Sequence, residues 1–118
     1  MRYLLLIHGE EAAWNDATDA ERRDMYQAYG AVSDQMQERG HLIDAAELQG
    51  AGTATLVRDR DGETLVVDGP FTETKEQLGG YFLVECDLDT AVAYAAAIPG
   101  AKNGGTIEVR PVVPSSED

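Results

Sequence analysis

Two short runs of the chain, residues 3–7 (YLLLI) and 81–84 (YFLV), are apolar at every position. Successive side chains of a strand point to opposite faces of a sheet, so such strands have to be buried on both sides. One layer of helices covers only one of those faces. The two runs therefore predict a sheet whose second face is covered by something other than its own helices.

A capping box opens the first predicted helix. Thr18 and Glu21 stand three residues apart, so the hydroxyl and the carboxylate can each accept a hydrogen bond from an otherwise unpaired backbone N–H group. Gly40 marks the end of the helix, because glycine readily adopts the left-handed conformation that closes helices. Four apolar positions at helical spacing form one stripe that we expect to be buried: Met25, Tyr29, Val32 and Met36.

Strand patterns follow this helix. Residues 41–48 predict one strand, and residues 53–59 and 63–68 flank the dipeptide Asp61-Gly62. Aspartate followed by glycine is typical of the tight turn in a two-stranded hairpin. This part of the chain therefore predicts a strand and then a β-hairpin.

A second helix and a last strand complete the chain. Asp87 or Asp89 caps the helix, which ends at Pro99-Gly100, and residues 106–113 predict the strand. The stripe expected to be buried on this helix is Leu88, Val92, Ala95 and Ile98.

The element order is β-α-β, a hairpin, and β-α-β. This order predicts an α+β fold: a ferredoxin-like antiparallel sheet with two helices on one face and an inserted β-hairpin. Residues 1–113 are expected to form a single domain, followed by a short acidic C-terminal tail at 114–118. A second copy of the chain is the simplest cover for the other sheet face, so we expect a homodimer, a dimeric α+β barrel.

Composition narrows the classes of function. Of the 118 residues, 22 are Asp or Glu and nine are Lys or Arg; the formal net charge of −13 argues against nucleic-acid binding. No apolar stretch approaches the ~20 residues of a membrane span, so we expect no membrane partner and a cytoplasmic location. The single cysteine, Cys86, lies in an apolar run that predicts a buried, unreactive thiol.

Neither a metal nor a cofactor is predicted. Two histidines and one cysteine give no zinc pattern, and His8 followed by Gly-Glu-Glu is a weak metal signal. The glycines at 50 and 52 and at 104–105 lead into strands and not into helices, so they do not form a phosphate-binding loop.

The segment DGPFTETKEQLGGY carries the candidate chemistry. Pro70 has a fixed backbone angle and favours an extended Gly69, which holds the carboxylate of Asp68 in place. In an extended stretch, side chains two residues apart point the same way, so Glu73 and Lys75 would lie side by side. The segment thus offers two carboxylates and one ammonium group within eight residues.

The predicted topology adds a histidine to this group. The first strand should lie antiparallel to the strand that begins near Gly80 and Tyr81, which brings His8 close to that beginning. His8 would then lie near the loop that carries Asp68. An imidazole that titrates near neutrality beside a partly buried carboxylate forms a workable general acid/base pair.

The same residues have structural interpretations. Asp68 either takes part in catalysis or accepts hydrogen bonds within a turn, and Lys75 with Glu76 can form a solvated pair. His8 at a strand end can be a satisfied structural residue. His41, just after the helix, would favour the helix end electrostatically.

Two further residues each have more than one possible role. Arg110 lies among apolar neighbours on the last strand and either binds an anionic substrate or pairs with Glu108 or with a carboxylate across the dimer. Trp14 follows the first strand and either lines a pocket or covers the core.

The motif Asp68-Gly69-Pro70-Phe71, followed by Glu73, Lys75-Glu76 and Gly80-Tyr81, resembles the signature of DGPF proteins, a branch of the YCII-related family. The resemblance extends over nearly the whole chain. It implies a dimeric α+β barrel, a His–Asp acid/base pair and a likeness to cofactor-free isomerases and lyases. It also implies an association with extracytoplasmic-function sigma factors.

Two functional hypotheses follow. The first is a cofactor-free small-molecule enzyme, isomerase- or lyase-like, with a cleft near the dimer interface around the motif. Its predicted acid/base residues are Asp68 and His8, and Lys75 or Arg110 would stabilise an oxyanion. The residues predicted to bind substrate are Glu73, Lys75, Tyr81 and Arg110. The alternative is a non-catalytic accessory or ligand-sensing protein that binds a sigma factor through its acidic surface.

Overall fold

The apolar run at the start of the chain lies in the middle of a four-stranded sheet. The computed structural model describes residues 1–115. The strands are β1 (Arg2–Gly9), β2 (Leu42–Glu47), β3 (Thr55–Arg60), β4 (Glu63–Asp68), β5 (Gln77–Glu85) and β6 (Thr106–Pro111). The helices are α1 (Glu11–Asp16), α2 (Asp19–Glu38), α3 (Leu88–Ala97) and α4 (Pro99–Lys102).

The main sheet has the strand order β2-β5-β1-β6, and every neighbouring pair is antiparallel. In its middle, Leu5 lies opposite Phe82 on one side and Val109 on the other. This order with its two crossover helices agrees with the ferredoxin-like arrangement predicted from the sequence. The α+β class and the antiparallel sheet are confirmed.

The core lies on one face of this sheet. Strands β1 and β5 place alternate residues there, and α2 and α3 pack onto them. Because side chains alternate along a strand, the core takes every second residue of β1 and β5. The buried side chains are Tyr3, Leu5, Val32, Met36, Phe82, Val84, Ala91, Tyr94 and Ile98.

The predicted helix signals at α2 are present. Glu21 N–H donates to the Thr18 hydroxyl at 3.1 Å, and Thr18 N–H donates to the Glu21 carboxylate at 3.0 Å. The hydrogen bond from the Thr18 backbone N–H to the carboxylate lowers the pKa of Glu21 below its usual value. Gly40 has a φ of +72°, and His41 N–H donates to Met36 O at 2.9 Å, which closes the helix end.

Asp87, and not Asp89, caps α3. Thr90 N–H donates to its carboxylate at 2.8 Å, and hydrogen bonding from the Thr90 side chain and backbone lowers the pKa of Asp87. His41 lies near this helix: its Nδ1 is 2.7 Å from the hydroxyl of buried Tyr94. His41 thus has a side-chain partner in the core, beyond the electrostatic role predicted at the helix end.

The predicted buried stripes are only partly correct. On α2, Val32 and Met36 are buried, whereas Met25 and Tyr29 are half-buried because the N-terminal half of the helix borders a cavity. On α3, Leu88 and Val92 are about half exposed, at 50% and 49%. Ala95 and Ile98 are buried as predicted, and the helix also buries Ala91 and Tyr94, which were not predicted.

The other face of the main sheet, which we call the open face, has no covering helix within residues 1–115. Leu4 and Leu6 lie there on β1, and their partners on β5 are Leu83 and Tyr81. All four side chains are half-buried. The two-sided apolar character that the sequence predicted for these strands is therefore present, with helices on one side only.

The predicted hairpin forms a separate two-stranded sheet of β3 and β4, which we call the hairpin arm. Its turn residues Asp61 and Gly62 have φ values of +54° and +82°, as expected for a type I′ turn. Val57 and Val66 lie opposite each other and are 64% and 62% exposed. The Cα radius of gyration is 16.2 Å, against about 13.5 Å for a compact domain of this length.

Several expectations from the sequence concern smaller features. Cys86 is half-buried and not fully buried as predicted; desolvation raises the pKa of its thiol, which agrees with an unreactive side chain. Within residues 1–115, no helix is long and apolar enough to cross a membrane. The predicted acidic tail at 114–118 lies mostly outside the described residues.

The packing of α3 predicts unequal costs for truncating Leu88, its first residue, and Ile98, the residue that follows its end. Ile98 is completely buried, so Ile98→Ala should lower the free energy of unfolding by about 2–5 kcal/mol. Leu88→Ala, at a half-exposed position, should cost less than about 1 kcal/mol. Urea unfolding followed by circular dichroism measures both. Equal losses would contradict the observed orientation of α3.

Candidate functional site

A cavity of about 1200 Å³ lies at the end of the main sheet where β1 ends and β5 begins. The N-terminal half of α2 and the short helix α1 form its walls, and the connection between α4 and β6 closes one side. Met25 and Tyr29 line it. This is why these two residues of the predicted stripe are not part of the core.

Glycines are concentrated around the cavity. Eight of the twelve glycines of the chain line it. On β5, Phe82 and Val84 fill the space below the helices, but the next position on that face is Gly80. A Cβ atom on Gly80 would lie 2.8 Å from the carbonyl oxygen of Ala46, so the close strand pairing demands glycine there.

Aromatic side chains form part of the wall. Trp14 and Tyr26 meet edge to face, with ring centroids 5.3 Å apart. The Tyr26 hydroxyl donates to the Glu47 carboxylate at 2.9 Å, which raises the pKa of Tyr26. Of the two alternatives for Trp14, the structure supports the pocket. Helix α1 was not predicted, because its six residues are too few for a helical repeat to be seen.

The loop after β4 reaches the same end of the sheet. Lys75 Nζ lies 3.3 Å from the carboxylate of Glu10, just after β1. The Gln77 side chain donates to the carbonyl oxygens of Thr72 and Thr74, at 2.9 and 3.0 Å. The segment is thus a loop and not the extended stretch we expected. Lys75 accordingly pairs with Glu10, and not with Glu73 or Glu76.

Asp68 is the last residue of β4, at the base of the hairpin arm. Within residues 1–115 its exposed carboxylate has no hydrogen-bond or ion-pair partner, so it does not accept the turn hydrogen bonds considered as an alternative. The turn is held by Gly69, whose N–H donates to Ala54 O at 2.8 Å. A Cβ on Gly69 would approach the Ala54 Cβ to 3.0 Å, which explains the glycine.

His8 has a different carboxylate partner from the one predicted. Its Nε2 lies 3.1 Å from the Glu108 carboxylate, whose other oxygen accepts from Arg110 Nε at 2.9 Å. The hydrogen bonds from Arg110 and then from His8 lower the pKa of Glu108. An ionised carboxylate only accepts hydrogen bonds, so Nε2 carries the proton and Nδ1 of a neutral ring is left as the basic nitrogen.

Tyr81, like His8, lies on the open face. Its hydroxyl donates to the Asp44 carboxylate at 3.0 Å, and this hydrogen bond raises the pKa of Tyr81. Three of the predicted site residues, His8, Tyr81 and Arg110, therefore share one face of the sheet. His8 and Tyr81 also belong to the cavity lining, whereas Asp68 and Glu73 lie in the arm and the loop.

Sequence reasoning missed two contributors to this region. Glu108 was considered only as a partner for Arg110, because its contact with His8 depends on the register of β1 against β6. The position of Glu47 depends on the pairing of β2 with β5, so Glu47 could not be placed at this site from the sequence. Within the described residues, no group of three or more potential ligands is arranged to hold a metal.

Comparison with known proteins identifies the family. A model of the YCII-related domain matches residues 1–116, and the chain belongs to this family. An uncharacterized protein of Rhizobium meliloti (strain 1021) is similar: it is 36% identical over 114 residues, which cover 95% of this chain and 92% of the relative.

The close approach of Gly80 to Ala46 predicts a contrast between neighbouring positions on β5. Gly80→Ala should lower the free energy of unfolding by about 1–3 kcal/mol, because the new methyl group collides with backbone that cannot move easily. At Gly79 the nearest atom is 3.8 Å from a built Cβ. Gly79→Ala should therefore be tolerated, and thermal unfolding of both variants checks the contrast. A larger loss for Gly79→Ala would contradict it.

Proposed function

We propose that this YCII-related protein is a cofactor-free enzyme of the DGPF branch that catalyses proton transfer on a small polar organic molecule. The reaction would be of the isomerase or lyase type and would take place in the cytoplasm. The observation that carries the proposal is the pairing of His8, a residue of the cavity lining, with Glu108 on the open face. A carboxylate that orients a histidine is a common arrangement for general acid/base catalysis.

In this proposal, His8 Nδ1 removes or delivers a proton, and Glu108 stabilises the imidazolium that forms. Asp68 is the second acid/base group, since its carboxylate is exposed and has no partner within residues 1–115. Arg110 and Lys75 would stabilise developing negative charge. Both are already paired with carboxylates, so part of their charge is offset in the unliganded protein.

Substrate contacts are proposed for two further residues of the motif region. Tyr81 has a neutral hydroxyl on the open face, and Glu73 lies in the loop that Lys75 ties to Glu10. Both would act through hydrogen bonds to polar groups of the substrate. The motif residues Gly69, Pro70 and Phe71 would set the path of this loop beside Asp68.

We also propose that the protein acts as a homodimer in which the open face packs on its counterpart. Leu4, Leu6 and Leu83 form an apolar strip there that lacks a cover in residues 1–115. The hairpin arm supports this as well. An isolated two-stranded hairpin is marginally stable in water, so Val57 and Val66 favour a position against a second chain. The site around the motif would then lie near the interface.

The proposal predicts isotope exchange that needs no knowledge of the substrate. Incubated in D₂O with a mixture of cellular metabolites, the wild-type protein should introduce deuterium at carbon into a small number of compounds. His8→Gln and Asp68→Asn should each reduce this exchange by about 10²-fold or more. Mass spectrometry measures the exchange, and Glu63→Gln, at the turn of the hairpin arm, is the control.

The outcomes separate the two functional hypotheses. Loss of exchange in the His8 and Asp68 variants, with retention in the control, supports the enzyme. If the wild-type protein causes no exchange in any compound, the proton-transfer proposal is wrong. Salt-sensitive co-purification with a sigma factor would then favour the accessory role, in which the −13 charge binds a basic protein surface.

A further inference from the structure

Charged side chains divide the open face into an acidic half and a basic half. Asp44 on β2 and Glu85 on β5 carry carboxylates, whereas Arg2 on β1 and Arg110 on β6 carry guanidinium groups. Arg2 and Glu85 each lie next to a core residue of their own strand and therefore point to the open face. Asp44 and Arg110 lie opposite open-face leucines of the neighbouring strands.

Strand register places these charges in line with the apolar strip. From β2 to β6, one row of the open face consists of Asp44, Leu83, Leu4 and Arg110. In the adjacent row, Glu85 lies opposite Arg2. Glu108 on β6 is an exception to the division, and both of its oxygens already accept hydrogen bonds within the chain. The strip thus has negative charge on one side and positive charge on the other.

Asp44 lacks a cationic partner in its own chain. Among the described residues, its carboxylate accepts from the Tyr81 hydroxyl and the Ala45 N–H, and no lysine or arginine forms an ion pair with it. Arg110 contacts Glu108 through Nε and Nη2. Because a guanidinium has five N–H donors, Arg110 can bind a second carboxylate as well.

A two-fold axis along the strands, between β1 and β5, exchanges the two halves of the open face. Each row then faces the same row of a second copy in reverse order, because contacts across such an axis are reciprocal. Leu4 faces the partner's Leu83, and each arginine faces a carboxylate. Sheets packed face to face keep their strands within about 30° of each other, which this axis allows.

The other face-to-face arrangement has its axis across the strands and is less favourable. It lays β2 on the same strand of the second copy, so both Asp44 carboxylates lie at one edge without a cation from the described residues of either chain. Like charges brought together at an interface oppose association. Arg110 would face the partner's Glu108, although Glu108 already accepts from His8 and Arg110.

We propose that two copies pack their open faces with each strand parallel to its counterpart, so that Arg110 binds the partner's Asp44 and Arg2 binds the partner's Glu85. The inference rests on the homodimer proposed above and adds its orientation. The occupant of the open face is thus a second copy of this chain, recognised by complementary charge on both sides of the apolar strip.

This orientation extends the surroundings of His8 into the second copy. Within one chain, Leu6 separates Tyr81 from Glu108 across the sheet. In the dimer, the partner's Tyr81 would lie over Leu6 and so beside Glu108, which holds His8. The second copy would therefore contribute a hydroxyl group to the site.

Exchange of charges tests the orientation. Asp44→Arg sets arginine against Arg110, and Arg110→Asp sets carboxylate against Asp44, so each variant alone should raise the dimer dissociation constant about ten-fold or more. An equimolar mixture of the two variants restores the opposite charges. It should form heterodimers with a dissociation constant within about three-fold of the wild-type value. Sedimentation velocity measures the constants, and native mass spectrometry distinguishes the dimers by mass.

Matched controls separate this contact from the effect of net charge. Asp34→Arg and Arg23→Asp make the same charge changes at exposed positions of α2 and should leave the dimer unchanged. Glu85→Arg and Arg2→Glu form a second pair for the same mixing experiment. This pair provides the test if loss of the Arg110 contact with Glu108 prevents folding, which circular dichroism checks for every variant.

The outcomes distinguish the orientation from the homodimer itself. Preferential formation of heterodimers, with unchanged controls, supports the proposal. Undiminished dimers of the single variants, or a statistical mixture of homodimers and heterodimers, would overturn the orientation while the homodimer stands. A wild-type protein that is monomeric at micromolar concentration would overturn both. Deuterium exchange is a separate measurement, so none of these results bears on the proposed acid/base chemistry.

Discussion

The structure depends on the one-sided cover of a four-stranded sheet. Helices α2 and α3 bury Leu5, Phe82 and their neighbours on one face, and this packing supplies the whole core of the described residues. The apolar side chains on the open face gain no such burial. A sheet that is apolar on both faces needs a second layer, and for this chain a second copy is the proposed one.

A different constraint acts at the end of the sheet where β1 ends and β5 begins. Gly80 is fixed by its close approach to Ala46, so the helix-facing side of β5 stops being filled just where β1 ends. The N-terminal half of α2 therefore borders a cavity, which acidic and aromatic residues line. The same glycine thus links the register of the sheet to the space available for chemistry.

Much of the fold could be predicted from local signals. The capping box at Thr18, the closing Gly40 and the Asp61-Gly62 turn each act over a few residues, and all three are present. The buried side of α3 was predicted only in part: Ala95 and Ile98 are buried, but Tyr94 packs inward with its hydroxyl on His41 while Leu88 and Val92 are about half exposed.

The candidate site was less accessible to sequence reasoning. The topology correctly placed His8 beside the beginning of β5, where it lies opposite Leu78. Its contact with Glu108 depends on strand register, and Lys75 reaches Glu10 through a loop whose path is set by Gln77. Such contacts join residues far apart in the chain, and no local pattern encodes them.

The mass of the protein in solution tests most directly whether a second copy of the chain covers the open face. Sedimentation equilibrium at micromolar concentration should give about 25 kDa, twice the 12.7 kDa of one chain. Leu4→Glu on the open face should shift the protein to a folded monomer, whereas Val92→Glu on the exposed side of α3 should leave the dimer intact. A wild-type protein of 12.7 kDa under these conditions would contradict the account.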